Sequence, residues 1–186
     1  MKIRLITAAV VAGGLVASMS GAQAASPTID GKKVKTLSIT ANGGVQSNDK
    51  DQASLTSPDR LACEAPRCAK LTFTYAPAKG LSNGDLMFTA TWTNPASDID
   101  LYIGELDKKG NASDIGHCGG TGTTSEKVFV PKSSLKAGHK YVMVVDFFRS
   151  VNETATGKVE IGVPSSIKNT VPAAADGAVF PVNCVS

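Results

Sequence analysis

From Ala69 onward, apolar and polar residues alternate with the two-residue period of a half-buried strand. Leu71, Phe73 and Tyr75 alternate with Thr72 and Thr74. Leu86, Phe88, Ala90 and Trp92 alternate with Met87, Thr89 and Thr91. Ile99, Leu101 and Ile103 alternate with Asp98, Asp100 and Tyr102. Val128 and Val130 mark a shorter strand that stops at Pro131, and Val159, Ile161 and Val163 mark another that stops at Pro164. Residues 141–148 are apolar almost throughout, which predicts a central strand covered on both faces. Residues 34–40 read as a first strand and residues 178–182 as a last edge strand. Turn residues fill 77–80, 82–85 and 108–111. No helical period is sustained outside the N-terminal segment, and residues 46–60, poor in large apolar side chains, read as a loop. About eight short strands with turns roughly every 8–12 residues predict an all-β antiparallel β-sandwich. The wide segment 104–125, read as a loop, favours a jelly-roll-like topology.

The N-terminal segment changes where this sandwich is expected to work. Lys2 and Arg4 precede an apolar run over residues 6–16, and Ala22-Gln23-Ala24 follows as a small-x-small cleavage site. This is the pattern of a secretory signal peptide over residues 1–24. The run is too short to span a bilayer, which takes roughly 18–20 apolar residues. The chain therefore reads as exported, to the periplasm or the medium, without a membrane anchor. Residues 25–68 form an N-terminal strand and polar loop region. Residues 69–186 form the sandwich body with its C-terminal tail, in one domain with 25–68. Loss of Lys2 and Arg4 takes the formal net charge from +3 to +1. Lysines are scattered and not interleaved with aromatics, so nucleic-acid binding has no footprint.

The cysteines sharpen the picture of an exported chain. Cys63, Cys68, Cys118 and Cys184 make an even set, which points to two disulfides. Of the three pairings, Cys63–Cys68 closes a tight loop around Glu64-Ala65-Pro66-Arg67, and Cys118–Cys184 staples the tail to the body. The alternative is a zinc site, kept open by His117 beside Cys118.

One stretch resembles a known family. Trp92-Thr93-Asn94-Pro95 followed by Asp98-Ile99-Asp100-Leu101-Tyr102-Ile103, the pair Ser125-Glu126 before Val128, and Gly138 followed by Tyr141 keep the order and spacing of the bacterial pre-peptidase C-terminal domain family. The resemblance covers residues 85–163. It implies a jelly-roll-like β-sandwich of the kind that follows secreted peptidases and other exported hydrolases. Some such modules bind calcium, insoluble polymers or collagen-like substrates. This chain carries no peptidase, and its Cys63–Cys68 segment and Cys184 tail fall outside the family pattern.

Candidate chemistry collects on one strand. Asp98 and Asp100 share a strand face roughly 7 Å apart. Asp146, set in an apolar strand, is the third candidate carboxylate, because burial there demands a partner. Calcium takes six to eight oxygens, so Asp98, Asp100 and Asp146 with carbonyls of residues 94–97 make the candidate metal site. The bland reading is an exposed strand face, with Asp146 at an edge or paired to Arg149 or a lysine. Tyr102 shares the aspartate face and is the candidate ligand-binding aromatic. Trp92 shares the phase of Leu86, Phe88 and Ala90 and reads as core. The Gly-rich run over residues 116–122 neither follows a predicted strand nor opens a helix, so it reads as a disulfide-pinned loop rather than a phosphate cradle. No nucleophile-elbow motif occurs. The expectation is therefore a secreted, non-catalytic binding or accessory module for an extracellular polymer or protein, with calcium as candidate cofactor. One competing class is a small inhibitor or envelope protein that uses the Cys63–Cys68 loop. Another is a hydrolase that pairs Asp98 with Glu126.

Overall fold

The structure is a computed structural model that describes residues 15–16, 26–46, 57–120, 122–162 and 184. Eight longer strands build two sheets: β3 (Thr36–Asn42), β5 (Cys68–Tyr75), β6 (Leu86–Thr91), β7 (Asp98–Leu106), β8 (Ala112–Cys118), β9 (Ser125–Val130), β10 (Lys140–Val151) and β11 (Thr154–Ile161). Three two-residue strands lie at the margins: β1 (Leu15–Val16), β2 (Thr28–Ile29) and β4 (Val45–Gln46). A short helix, α1 (Ser57–Ala62), precedes β5. One sheet runs β1-β3-β11-β6-β9, and the other β2-β5-β10-β7-β8 with β4 added to β10. Numbering the eight long strands in chain order gives 1-8-3-6 in one sheet and 2-7-4-5 in the other, which is the interleaved double Greek key of a jelly roll. The expected all-β antiparallel sandwich is therefore the observed fold. The Gly110 end of the 107–111 turn joins β7 to β8 as a hairpin, with the Asp107 N–H donating to the Asn111 carbonyl at 2.9 Å. Residues 112–118 are thus a strand, correcting the loop reading of 104–125. Gly116, His117 and Cys118 belong to it, so the Gly-rich run is half strand.

Alternation explains the packing. Phe88 of one sheet meets Phe73 of the other with ring centroids 6.0 Å apart, and Phe73 in turn lies 6.0 Å from Tyr141. Leu37, Val159, Leu86, Val128, Leu101 and Met143 fill the same layer. At Gly157 the sheets approach so closely that a Cβ would sit 2.7 Å from Val145 Cγ2. Only glycine leaves room for β10 against β11 at that point. Trp92 is 6 % exposed and belongs to this core, as its strand phase predicted.

The outer face of β10 has its own cover. Val142 and Val144 point away from the main core and pack with Leu61 of α1 and the Cys63–Cys68 pair, bordered by Tyr102 and Leu106. That second apolar layer is why residues 141–148 read as continuous hydrophobics. Both expected disulfides form, Cys63–Cys68 and Cys118–Cys184. Of the expected leader, only Leu15–Val16 lies within the described residues, parallel to Leu37–Ser38 of β3. The expected strand over 178–182 lies outside them, although Cys184 bridges antiparallel to Val128. No helix among the described residues is long and apolar enough to cross a membrane.

Candidate functional site

Sheet register brings the candidate carboxylates together. Asp100 of β7 lies opposite Asp146 of β10, and a register shift after Asp146 sets Asp98 opposite Arg149. Asp98, Asp100 and Tyr102 do share one strand face, but that face is not open to solvent. Asp98 is buried, Asp100 and Tyr102 are half-buried, and Asp146 is 0 % exposed. Helix α1 and the Cys63–Cys68 loop cover the region and supply its cations. Arg60 Nη1 donates to Asp146 Oδ2 at 2.7 Å, with Arg67 Nε 4.0 Å from Asp146 Oδ1. The Arg60 guanidinium also lies 4.8 Å over the Phe148 ring. The Asp146 partner is thus Arg60, from a segment read as loop, rather than Arg149 or a lysine.

Four carboxyls here are held above their ordinary range. Burial is the first cause for each. Asp100 is raised well above it, with the Asp98 and Asp146 charges adding and Arg60 opposing. Asp98 is raised against the pull of Arg149 and Arg60. Asp146 is raised despite its Arg60 hydrogen bond. Glu126, 6 % exposed on the inward phase of β9, is pushed up to about 7 by burial, with the Thr123 hydrogen bond opposing and Asp98 adding. Burial and then Asp100 raise the Tyr102 phenol as well. Its hydroxyl is 3.5 Å from Asp100 Oδ2. The Tyr102 ring stacks on His117 at 5.5 Å, and His117 Nδ1 is 2.7 Å from Asp114 Oδ2. A Cβ at Gly119 would run into the Asp100 carboxylate, so a larger residue there would have to displace that side chain.

Cations of the chain itself already stand beside the candidate calcium ligands. Arg60 holds one Asp146 oxygen, Oδ2, while Oδ1 is buried without a hydrogen-bond partner, and Arg149 faces Asp98. In the 94–97 loop the Asn94 N–H donates to Glu153 Oε2 at 2.9 Å, and the Asn94 carbonyl accepts from the Ser97 N–H at 3.0 Å. Among the described residues, the one set of three Cys, His, Asp or Glu ligand atoms within 4.8 Å of one another is Cys118, Glu126 and Cys184. The buried Arg60–Asp146 ion pair ties α1 to the sheet.

The raised Glu126 carboxyl predicts a pH-dependent stability. Its folded pKa lies above its ordinary 4.5, so the folded state favours the protonated form. Its full contribution is present below about pH 4.5 and is lost as pH rises to about 7. Glu126→Gln, which stays neutral, is expected to unfold at higher urea than wild type at pH 8, by ~2–3 kcal/mol, with little difference at pH 4. A variant that tracks wild type at both pH values would show that Glu126 is not the titrating group.

A second feature lies at the opposite end of β7. A cavity of about 670 Å³ is lined by Glu105, Lys108, Ser113, Lys136, His139 and Lys140 among others. Lys136 Nζ donates to both Glu105 oxygens at 2.9 and 3.1 Å, and His139 Nδ1 is 2.7 Å from Glu105 Oε1. The lysine hydrogen bonds come first in lowering the Glu105 pKa, and burial opposes them. No pattern in the sequence marked this groove, because its residues come from the β7–β8 hairpin and the β9–β10 connection. Against known proteins, the chain matches no family model and no curated sequence.

Proposed function

We propose that this chain is an exported, disulfide-stapled binding or accessory module that engages an extracellular polymer or protein through the Glu105–Lys136–His139 groove. The observation that carries the reading is the groove itself. It is concave and lined by charged side chains, with Lys136 63 % and His139 47 % exposed at the side chain. The Asp98–Asp100–Tyr102 face, by contrast, lies under α1. The leader pattern and the resemblance to modules appended to exported hydrolases support an extracellular ligand. A second reading rests on the Cys63–Cys68 loop, where Glu64, Ala65 and Pro66 are exposed and the disulfide limits the entropy lost on contact. In that reading the chain is an inhibitor or envelope protein.

One pull-down separates the two. The wild-type chain is tested against chitin, cellulose, collagen and the secretome, beside a Lys136→Glu/Lys140→Glu variant and a variant with residues 64–66 replaced by Gly/Ser. The groove reading expects the charge-reversed variant to lose capture about tenfold or more, a loss of ~1.4 kcal/mol or more, while the loop variant binds normally. Loss confined to the loop variant would overturn the groove.

A further inference from the structure

We propose that the end of the sandwich holding the Glu105–Lys136–His139 groove binds an anionic polysaccharide, one that bears carboxylate or sulfate groups; this names the ligand class of the groove and rests on that reading of it. The lysines are scattered along the sequence, and the topology gathers them. Strands β5, β7, β9 and β11 end here, and β3, β6, β8 and β10 start here. The connections between them touch one another. The Ala78 N–H donates to the Asp30 carbonyl at 2.9 Å, and the Gly138 N–H to the Tyr75 carbonyl at 2.7 Å. Lys32 Nζ donates to the Lys79 carbonyl at 2.9 Å. Residues 30–35 thus bring Lys32, Lys33 and Lys35 to this end, and residues 76–85 bring Lys79. The β7–β8 turn adds Lys108 and Lys109, and residues 131–140 add Lys132, Lys136 and Lys140. All nine are exposed.

The acids at this end are already engaged by the protein. Asp30 Oδ1 accepts from the N–H groups of Lys32, Lys33 and Val34. Asp107 accepts from the Lys109 N–H and twice from Asn111, and Asp85 accepts from the Lys132 N–H at 2.7 Å. Glu105 is held by Lys136 and His139. Among the described residues, Lys136 is the one lysine of this set with an ion-pair partner. The surface therefore presents ammonium donors and asks for an anion.

The same end narrows which anion. The groove of about 670 Å³ falls within the ~300–1,000 Å³ of ordinary ligand sites, so it suits a chain segment rather than a flat surface. A lipid surface calls for apolar side chains beside the cations. The large hydrophobics exposed among the described residues, Val45 and Val151, pair with each other at the far end of β10. A nucleic-acid strand stacks its bases on exposed aromatic rings, and Tyr75 and Tyr141, at this end of β5 and β10, are buried. Protein interfaces are enriched in Arg and depleted in Lys. Arg60, Arg67 and Arg149 all lie by Asp98 and Asp146, toward the opposite end. A hydrated acidic polysaccharide needs none of these features. Its separate charges are matched by the hydrated point charges that lysine supplies.

The test measures the affinity of the chain, with both disulfides intact, for alginate and for dextran sulfate, with dextran as the neutral control. The expected result is binding to at least one acidic polymer and none to dextran. Affinity should fall about tenfold or more between ~0.05 and ~0.2 M NaCl. The tighter of the two acidic polymers identifies carboxylate or sulfate as the recognised group. Lys136→Gln/Lys140→Gln and Lys32→Gln/Lys33→Gln should each weaken binding at least about fivefold and flatten its salt dependence. No binding to either acidic polymer, or binding that either lysine variant leaves intact, would overturn the proposal. Tighter binding to phosphatidylglycerol vesicles or to a single-stranded oligonucleotide would overturn it too. The groove reading is judged separately. If Lys136→Glu/Lys140→Glu loses capture of a neutral polymer or a protein while alginate and dextran sulfate fail to bind, the groove stands and its ligand class is wrong.

Discussion

Arg60→Ala is expected to destabilise the protein by about 3–5 kcal/mol, because it strands a carboxylate inside the fold. Asp146 is 0 % exposed, and its Oδ2 takes the 2.7 Å hydrogen bond from Arg60. Arg67, at 4.0 Å from the other oxygen, is too far to replace it. The cost should depend on pH. Burial already raises the Asp146 pKa and Arg60 opposes that rise. Without Arg60 the group escapes its charge by protonating, so the variant should suffer most near pH 8 and least in acid. A double change, Arg60→Met with Asp146→Leu, removes both charges at similar volume and should recover most of the loss. Urea unfolding of the two variants at pH 4.5 and pH 8 checks this. A double variant as unstable as Arg60→Ala would mean that the guanidinium acts by holding α1 through packing on Phe148, not through charge.

The same pair shows what could be read from the sequence. Two-residue alternation identified β5, β6, β7 and β11, because each turns one face into the sandwich, and it put Trp92 correctly inside. Alternation does not say whether the other face meets water or a cover. The clue was on β10, where Val142 and Val144 fall on the outward phase and so require something apolar above them. The cover, α1, has six residues, too few for a helical period to show. Only Ser57-Pro58-Asp59, a helix-start pattern, announced it. Strand β8 was hidden for another reason. Ala112-Ser113-Asp114-Ile115-Gly116-His117-Cys118 is an edge strand, mostly half-buried, so it carries little alternation. The need of Asp146 for a partner was legible from its apolar neighbours. That the partner would be Arg60 was not, since it depends on a contact across 86 positions of chain.

Loss of the Cys118–Cys184 link should cost about as much as loss of Arg60, by a different route. In the chain-entropy model, removing a bridge that spans 66 positions frees an unfolded loop worth ~4 kcal/mol. The Cys63–Cys68 bridge spans 5 positions, and its loss is worth only ~2 kcal/mol on the same basis. Cys118→Ser/Cys184→Ser should therefore lower Tm by roughly 8–16 °C, and Cys63→Ser/Cys68→Ser by about half as much. Native-state contacts push in the same direction. Cys184 bridges to Val128 on β9, an edge strand, and both bridge cysteines belong to the main core. Losing the link thus frees Cys184 from its bridge to Val128 as well as lengthening the free chain. The ordering of the two variants is the decisive measurement, by calorimetry under non-reducing conditions. A larger drop for the short bridge would place the greater weight on α1 and its apolar layer, where Cys63 and Cys68 pack with Leu61, Val142 and Val144, and not on loop entropy.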